Sequence, residues 1–228
     1  MKELTHYIPI LTTLISAPFA FLIFKRYFAD TTKLHLLWWG IGMALYGIGT
    51  LTEALTTLVG WNLFIFKAWF ISGALLGAAP LAMGTVYLFL SKSTGHKLAI
   101  TLGIIVLITS IFAILSPVDY DKVPQYFLSG KILVWQQVRL VSPFINGFAA
   151  LFLIGGAIVS AMRYRKHTGT RNRFVGNLLI AIGAILPGIG GSFARFGVVE
   201  VLFVGEFIGV ILIWTGFNYC TRETSRNL

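Results

Sequence analysis

An acidic residue, Glu206, interrupts the apolar segment that runs from Val198 to Phe217. The segment is otherwise long enough to cross a lipid bilayer, which takes about 20 mostly apolar residues. An ionised carboxylate inside the hydrocarbon costs free energy, so intramembrane acids commonly face a partner, a cavity or an ion pathway. We therefore predict that Glu206 binds a proton or a cation. The alternative is a structural hydrogen bond to a neighbouring Ser, Thr or Trp side chain.

Five more charged residues lie within or directly beside apolar segments, at predicted depths similar to one another and shallower than that of Glu206. Counted at about 1.5 Å per residue along each helix, they fall near the outer edge of the hydrocarbon. They are Glu53, Lys67, Arg139, Arg195 and Glu200. Together with Glu206 they predict an outward-facing polar vestibule, in which Trp69 or Tyr46 packs on a bound ligand. The alternative is that the basic side chains reach the interface and close the end of the bundle in ion pairs.

The composition places these residues in a membrane protein. The 228 residues are 57% hydrophobic and 11% charged, with a mean hydropathy of +0.83, which no ordinary soluble domain matches. Seven segments are long and apolar enough to span a bilayer: 8–24, 35–58, 64–90, 98–116, 138–161, 174–194 and 198–219. We predict an all-α polytopic membrane protein with seven transmembrane helices in a single domain, residues 1–228.

The basic residues predict the orientation of the helices. Twelve of the 18 Lys and Arg residues follow segments 1, 3, 5 and 7, and basic loops stay in the cytoplasm. The N-terminus is expected outside and the C-terminus inside, in a prokaryotic cytoplasmic membrane. The net charge of +10 has the same origin, so we predict no nucleic-acid binding. The run from Arg163 to Arg173 is expected to contact anionic lipids of the inner leaflet.

Short sequence matches indicate an internal repeat. The segment-1 end Lys25-Arg26-Tyr27 matches Met162-Arg163-Tyr164, and Phe70-Ile71 matches Phe207-Ile208, both at an offset of 137 residues. These matches predict parallel repeats, residues 1–91 and 132–221, joined by a linker helix at 98–116. Repeats often mark transporters with a site at the repeat interface. Chance similarity between apolar sequences is the alternative.

Prolines within the segments predict places where a helix bends. Pro187 is followed by Gly188 and Gly190, and Pro80 lies within the third segment. A proline removes one backbone hydrogen bond and kinks a helix. Pro187, Gly188 and Gly190 are candidates for a broken segment or a hinge, and Pro80 is a candidate for a hinge. Kinked packing without motion is the alternative.

The sequence contains little that favours an enzyme. The four histidines, His6, His35, His96 and His167, lie at segment ends or in loops, and Cys220 is the single cysteine. None of them forms a pair placed to bind haem or a metal. No phosphate-binding loop and no Ser-His-acid set is present. We expect no catalytic activity, no cofactor and no metal.

One family resemblance covers residues 35–90. Trp39, Tyr46 and Glu53, then Lys67-x-Trp69, Gly73 and Pro80, resemble the seven-helix membrane sensor region of bacterial histidine kinases. The resemblance implies an outward-facing ligand pocket lined by Glu53, Lys67 and Trp69. No kinase domain is present, so the resemblance also implies that a partner protein carries the signal.

Three functions are compatible with these patterns. The first is a small-solute or proton-coupled transporter, indicated by the repeats, the prolines and Glu206. The second is a sensor or receptor-like module that signals through a partner. The third is an accessory subunit of a larger membrane complex, since short loops and small-residue helix faces suit assembly with a protein partner or a second copy.

Overall fold

A computed structural model describes residues 4–124, 126–165 and 171–222. The structure is all-helical, 87% helix, and the described part contains no strand, only an isolated antiparallel bridge between Val118 and Leu133. Seven helical stretches in that part are long and apolar enough to cross a membrane: Leu4–Ala29, Leu34–Val59, Leu63–Phe89, Lys92–Leu115, Gln136–Arg165, Arg171–Arg195 and Glu200–Thr221. The seven predicted spans are thereby confirmed.

Several spans consist of more than one regular helix. The α-helices are α1 (Ile8–Ala29), α2 (Leu34–Val59), α3 (Leu63–Trp69), α4 (Ala79–Phe89), α5 (Lys92–Leu115), α6 (Val141–Ala149), α7 (Gly155–Arg165), α8 (Arg171–Arg195) and α9 (Glu200–Arg222). Two wider π-helical segments, π1 (Phe70–Leu76) and π2 (Ala150–Ile154), lie in the third and fifth spans. Such π-turns occur frequently at functional sites.

The chain divides into two compact units, residues 1–149 and 150–228. The division falls within the fifth span. In the first unit α2 packs against α1, α3, π1 and α4. Glycines make the close packing of α2 and α4 possible: a Cβ at Gly42 would lie 2.7 Å from the backbone nitrogen of Leu81, and a Cβ at Gly84 would overlap the Trp39 ring. The core of this unit includes Phe66, Leu75 and other fully buried side chains.

The third span is interrupted near its middle. Gly77 has φ +42° and ψ −117°, a conformation with positive φ that glycine adopts with less strain than other residues. Its N–H donates to Ser72 O at 3.2 Å, five residues back. Pro80 then lies in the first turn of α4, where its missing N–H removes no helical hydrogen bond. The third span is therefore two half-helices that meet at Gly77 and Ala78.

The second unit is built on the α8–α9 hairpin, against which α7 packs. Glycines bring the two backbones together: a Cβ at Gly190 would lie 2.5 Å from Leu202 Cα, and one at Gly216 would lie 2.5 Å from Gly176 O. Helix α8 is continuous through Pro187. The broken segment predicted at Pro187 is therefore not observed, and the third span breaks instead at Gly77, three residues before Pro80. Motion at either proline stays a prediction.

Candidate functional site

The first unit contains a buried acid and a half-buried tryptophan that are hydrogen-bonded to each other. Trp69 Nε1 donates to Glu53 Oε1 at 3.0 Å, and Glu53 is only 6% exposed. Glu53 lies six residues before the end of α2 and Trp69 six residues after the start of α3, so each is about 9 Å along its helix from the α2–α3 connection. A hydrogen bond to a carboxylate is stronger than a neutral one, which holds the indole against α2.

Local sequence explains how these two side chains meet. Asn62 caps α3 by accepting hydrogen bonds from the backbone N–H groups of Phe64 and Ile65. Farther along, α2 and π1 approach closely, since a Cβ at Gly49 would lie 3.3 Å from Gly73 Cα. A Cβ at Gly73 would lie 3.6 Å from Trp69 Nε1. The Trp69 ring therefore lies over Gly73, between the carboxylate and the interrupted part of the third span.

Lys67 contacts the end of a neighbouring helix. Its Nζ donates to Ala113 O and to Ser116 O, both at 2.7 Å. These carbonyls belong to the last turn and C-cap of α5, where a cation is favourable because the helix dipole is negative there. Lys67 thus satisfies carbonyl groups that would otherwise lack an intrahelical donor.

A folded connection, which we call the cap (Ser116–Trp135), lies beside these residues. Its two arms are joined by Asp119 N–H to Ile132 O at 2.8 Å and Val134 N–H to Pro117 O at 2.9 Å. Leu128, Ile132 and Leu133 of the cap are buried. The cap contacts the third span directly, because a Cβ at Gly130 would lie 3.2 Å from the Phe70 ring.

Aromatic contacts join the cap to other parts of the same end of the first unit. Tyr120 packs edge-on against Trp61 at 5.7 Å between ring centroids, and Tyr126 packs edge-on against His6 at 6.2 Å. The end of this unit that carries Glu53, Trp69 and Lys67 is therefore in contact with described residues of the cap.

The remaining predicted ligand residues of the first unit lie on two elements. Arg139 Nη1 donates to Gln136 Oε1 at 2.6 Å, and a Cβ at Gly130 of the cap would lie 3.4 Å from Arg139 Nε. Tyr46 is half-buried in α2, seven residues before Glu53 and so on the same helix face. The structure thus joins Glu53 to Trp69 and places Arg139 beside the cap.

The second unit holds the other predicted residues. Arg195 is exposed at the end of α8, Glu200 begins α9, and Glu206 is half-buried six residues farther on. An open groove of about 330 Å³ lies between the two helices, lined by Leu186 and Ile189 of α8 and by Glu200, Val201, Val204, Gly205 and Ile208 of α9, a set that does not include Glu206. Gly188 of the predicted hinge is exposed, whereas Gly190 is buried against α9.

Sequence reasoning missed three residues of the first unit. Gly77 forms the interruption itself, and a Cβ there would lie 3.2 Å from Asn146 Oδ1 of α6. Ser142 lies four residues before Asn146, on the same face of α6. Ser142 is 8% exposed, and its buried hydroxyl has no hydrogen-bond partner in the described part of the chain. The signal available in the sequence was this pair of polar residues at helical spacing within an apolar segment.

Within residues 4–124, 126–165 and 171–222, no group of three or more His, Cys, Asp or Glu side chains is arranged to hold a metal ion. The candidate site contains carboxylates, amides, hydroxyls and backbone groups. Such groups are suited to binding protons, hard cations and small polar solutes.

An ion pair in the cap leads to a prediction about pH. Lys122 Nζ lies 2.7 Å from Asp119 Oδ2, and the hydrogen bond from Lys122 lowers the pKa of Asp119 below its ordinary value of 3.8. Any stability from this pair is present above about pH 4 and is lost as the pH falls through the lowered pKa. We expect Lys122→Ala to raise the pKa of Asp119 toward 3.8, measured by NMR titration of the carboxyl carbon. Lys33→Ala, in a different loop, is the control, and an unchanged Asp119 pKa in Lys122→Ala would contradict the prediction.

No protein family model, no curated protein and no solved structure matches this chain.

Proposed function

We propose that this chain is a membrane transporter for a small solute, with proton coupling. The observation that carries the proposal is the interruption of the third span at Gly77 and Ala78. Gly77 lies fourteen residues from the start of α3, about 20 Å along the helix, and so near the middle of a bilayer. Non-helical backbone at that depth is tolerated where protein or a polar cavity satisfies it. Transporters use such discontinuous helices to build substrate and ion sites at the midplane.

The proposal includes an orientation and a membrane. Basic residues are concentrated after spans 1, 3, 5 and 7, which supports a cytoplasmic C-terminus in a prokaryotic cytoplasmic membrane. The cap then faces outward, and the run Arg163 to Arg173 contacts anionic lipid. The parallel repeat of residues 1–91 and 132–221 is part of the same proposal, supported by the sequence matches.

Two carboxylates are proposed to take up and release the proton. Glu53 is buried and holds Trp69, so a change in its charge alters the strength of a hydrogen bond between α2 and α3. Glu206 lies half-buried in α9. An intramembrane acid that alternates between charged and neutral forms is the usual element of a proton relay.

A specific observation also favours a sensor function. Glu53 and Trp69, which carry the resemblance to histidine kinase sensor regions, are hydrogen-bonded to each other, and the cap packs on the adjacent Phe70. A ligand that displaces the cap would disturb the third span next to Trp69. In this alternative a partner protein reads the change.

Transport is tested with purified protein reconstituted in liposomes that contain a pH-sensitive dye. We expect addition of the correct small solute to one side to produce a proton flux that protein-free liposomes lack. Screening covers zwitterions, organic anions and cations separately, so that solutes of each charge class are tested. An absence of both solute uptake and proton flux across all classes would overturn the proposal, and a solute that raises the melting temperature without being transported would favour the sensor.

Glu206→Gln provides a second prediction for the same protein. If Glu206 titrates in the fold, the melting temperature of the parent depends on pH between about 4 and 9, and Glu206→Gln loses that dependence with little loss of stability. Thermal-shift titrations in detergent measure this. Asp121→Asn, at an exposed acid of the cap that is not part of the predicted vestibule, is the control. A large fall in melting temperature for Glu206→Gln at every pH would show that the carboxyl group is structural.

A further inference from the structure

Two oxygen atoms, one from π1 and one from α6, lie beside the interruption in the third span. A point one bond length from Gly77 Cα, where any other residue would carry its Cβ, lies 3.1 Å from Gly73 O and 3.2 Å from Asn146 Oδ1. Gly77 carries only a hydrogen there, which lets both oxygen atoms approach its backbone closely. A backbone carbonyl and a side-chain oxygen therefore lie near each other beside the break.

Two further groups lie on the same elements, close in sequence to Gly77 and Asn146. The end of π1 at Leu76 leaves carbonyl groups without intrahelical donors, as every helix end does. Ser142, one turn before Asn146 on the same face of α6, adds a buried hydroxyl that has no hydrogen-bond partner in the described residues. Helix α6 packs against both π1 and α4. A buried hydroxyl without a partner costs free energy, which a ligand at this position would recover.

The charge distribution decides which ligand fits. The only acidic residue within the spans of the first unit is Glu53, and its partner Trp69 lies over Gly73. The negative charge of Glu53 is therefore close to the break, on the side of π1. It favours a cation there and disfavours an anion. One carboxylate and several neutral oxygens suit a monovalent cation, whereas a protein site for a divalent cation ordinarily has more carboxylates.

We propose that the break in the third span binds a monovalent cation of the Na⁺ class. The ligands are Gly73 O, Asn146 Oδ1, Ser142 Oγ and carbonyls at the end of π1. Unwound carbonyls and half-helix C-terminal ends coordinate Na⁺ in transporters with broken helices. The inference deepens the proposed transport function and rests on it, since the ion then serves as the coupling ion or as the cargo.

The test is a thermal-shift titration of the full chain in detergent, with NaCl replaced stepwise by choline chloride at constant ionic strength. Binding to the folded state raises the melting temperature, so we expect a saturable rise with Na⁺ that choline does not produce. Ser142→Ala and Asn146→Ala should each raise the half-saturating Na⁺ concentration about tenfold, as expected for the loss of one ligand of hydrogen-bond strength. Asn146→Asp, which adds a negative charge, should lower it.

The matched control is Ser16→Ala, which deletes a hydroxyl that is also buried but already donates to Thr12 O within α1 at 2.7 Å. Its half-saturating concentration should equal that of the parent. An identical response to Na⁺ and choline, or an identical half-saturating concentration in all variants, would overturn the site. If Ser142→Ala fails to fold, the exposed Asn146 still provides two variants.

Failure of this proposal is distinguishable from failure of the proposed function, because the titration measures binding without transport. A Na⁺-specific shift that depends on Asn146 supports the site even if liposomes show no transport, in which case transport alone is overturned. Transport without any Na⁺-specific shift overturns the site alone.

Discussion

Glu53→Gln is expected to reduce solute-coupled proton flux in liposomes by at least about tenfold, equivalent to about 1.4 kcal/mol, while the protein stays folded. Glutamine keeps a side-chain oxygen that can accept the hydrogen bond from Trp69 Nε1, which spans 3.0 Å in the parent. It cannot ionise, so it removes the charge and the exchangeable proton without leaving a cavity. Dye-reported flux and the melting temperature are measured on the same preparation.

Trp69→Phe is the companion variant, because it keeps an aromatic ring and removes the donor. A hydrogen bond to a charged group is worth about 1.5–3 kcal/mol, and we expect a stability loss of about that size. If Glu53→Gln retained full flux, the carboxylate would be structural and Glu206 would remain the candidate for the proton site. If Trp69→Phe cost no stability, the hydrogen bond would not be holding α2 to α3.

Gly190→Ala is expected to destabilise the second unit by about 1–3 kcal/mol, the usual cost of overpacking. The added Cβ would lie 2.5 Å from Leu202 Cα and 2.9 Å from Val201 O. These are backbone atoms, so no side-chain rotation relieves the overlap, and α8 and α9 must separate. Thermal denaturation in detergent, followed by circular dichroism, measures the loss.

Gly188→Ala is the matched control, since the same change two residues earlier meets no atom within 4 Å. Alanine also has a higher helix propensity than glycine, by about 0.8–1 kcal/mol in soluble helices, so we expect no loss of stability. Equal stability of the two variants would contradict the observed packing of α8 on α9. Reduced flux in Gly188→Ala with unchanged stability would support the predicted hinge beside Pro187.

The spans were predictable from sequence because crossing a bilayer imposes a length and a composition on each helix. The predicted segment 98–116, for example, lies within the observed Lys92–Leu115 except for its last residue. The segment 138–161 extends farther at both ends, to Gln136–Arg165, because the ends of that span contain polar and basic residues. Hydrophobicity locates the middle of a span well and its ends less well.

The candidate site was only partly predictable. Glu53 and Trp69 were selected because polar and aromatic groups at similar depth suit a ligand site, and they are hydrogen-bonded to each other. The same reasoning grouped Lys67 with them, but Lys67 binds the last carbonyls of α5. Depth counting gives the position of a residue along its helix but leaves open which neighbour its side chain faces.

The amino-acid sequence by itself determined that this chain is helical and has seven stretches able to cross a membrane, because the bilayer selects for local composition. Only the tertiary structure decided where the third span breaks, that Asn146 lies beside Gly77, and that the cap packs on Phe70. These features depend on contacts between residues far apart in the chain. Since lipid-facing and protein-facing positions are both apolar, the pattern of hydrophobicity carries little information about which helices meet.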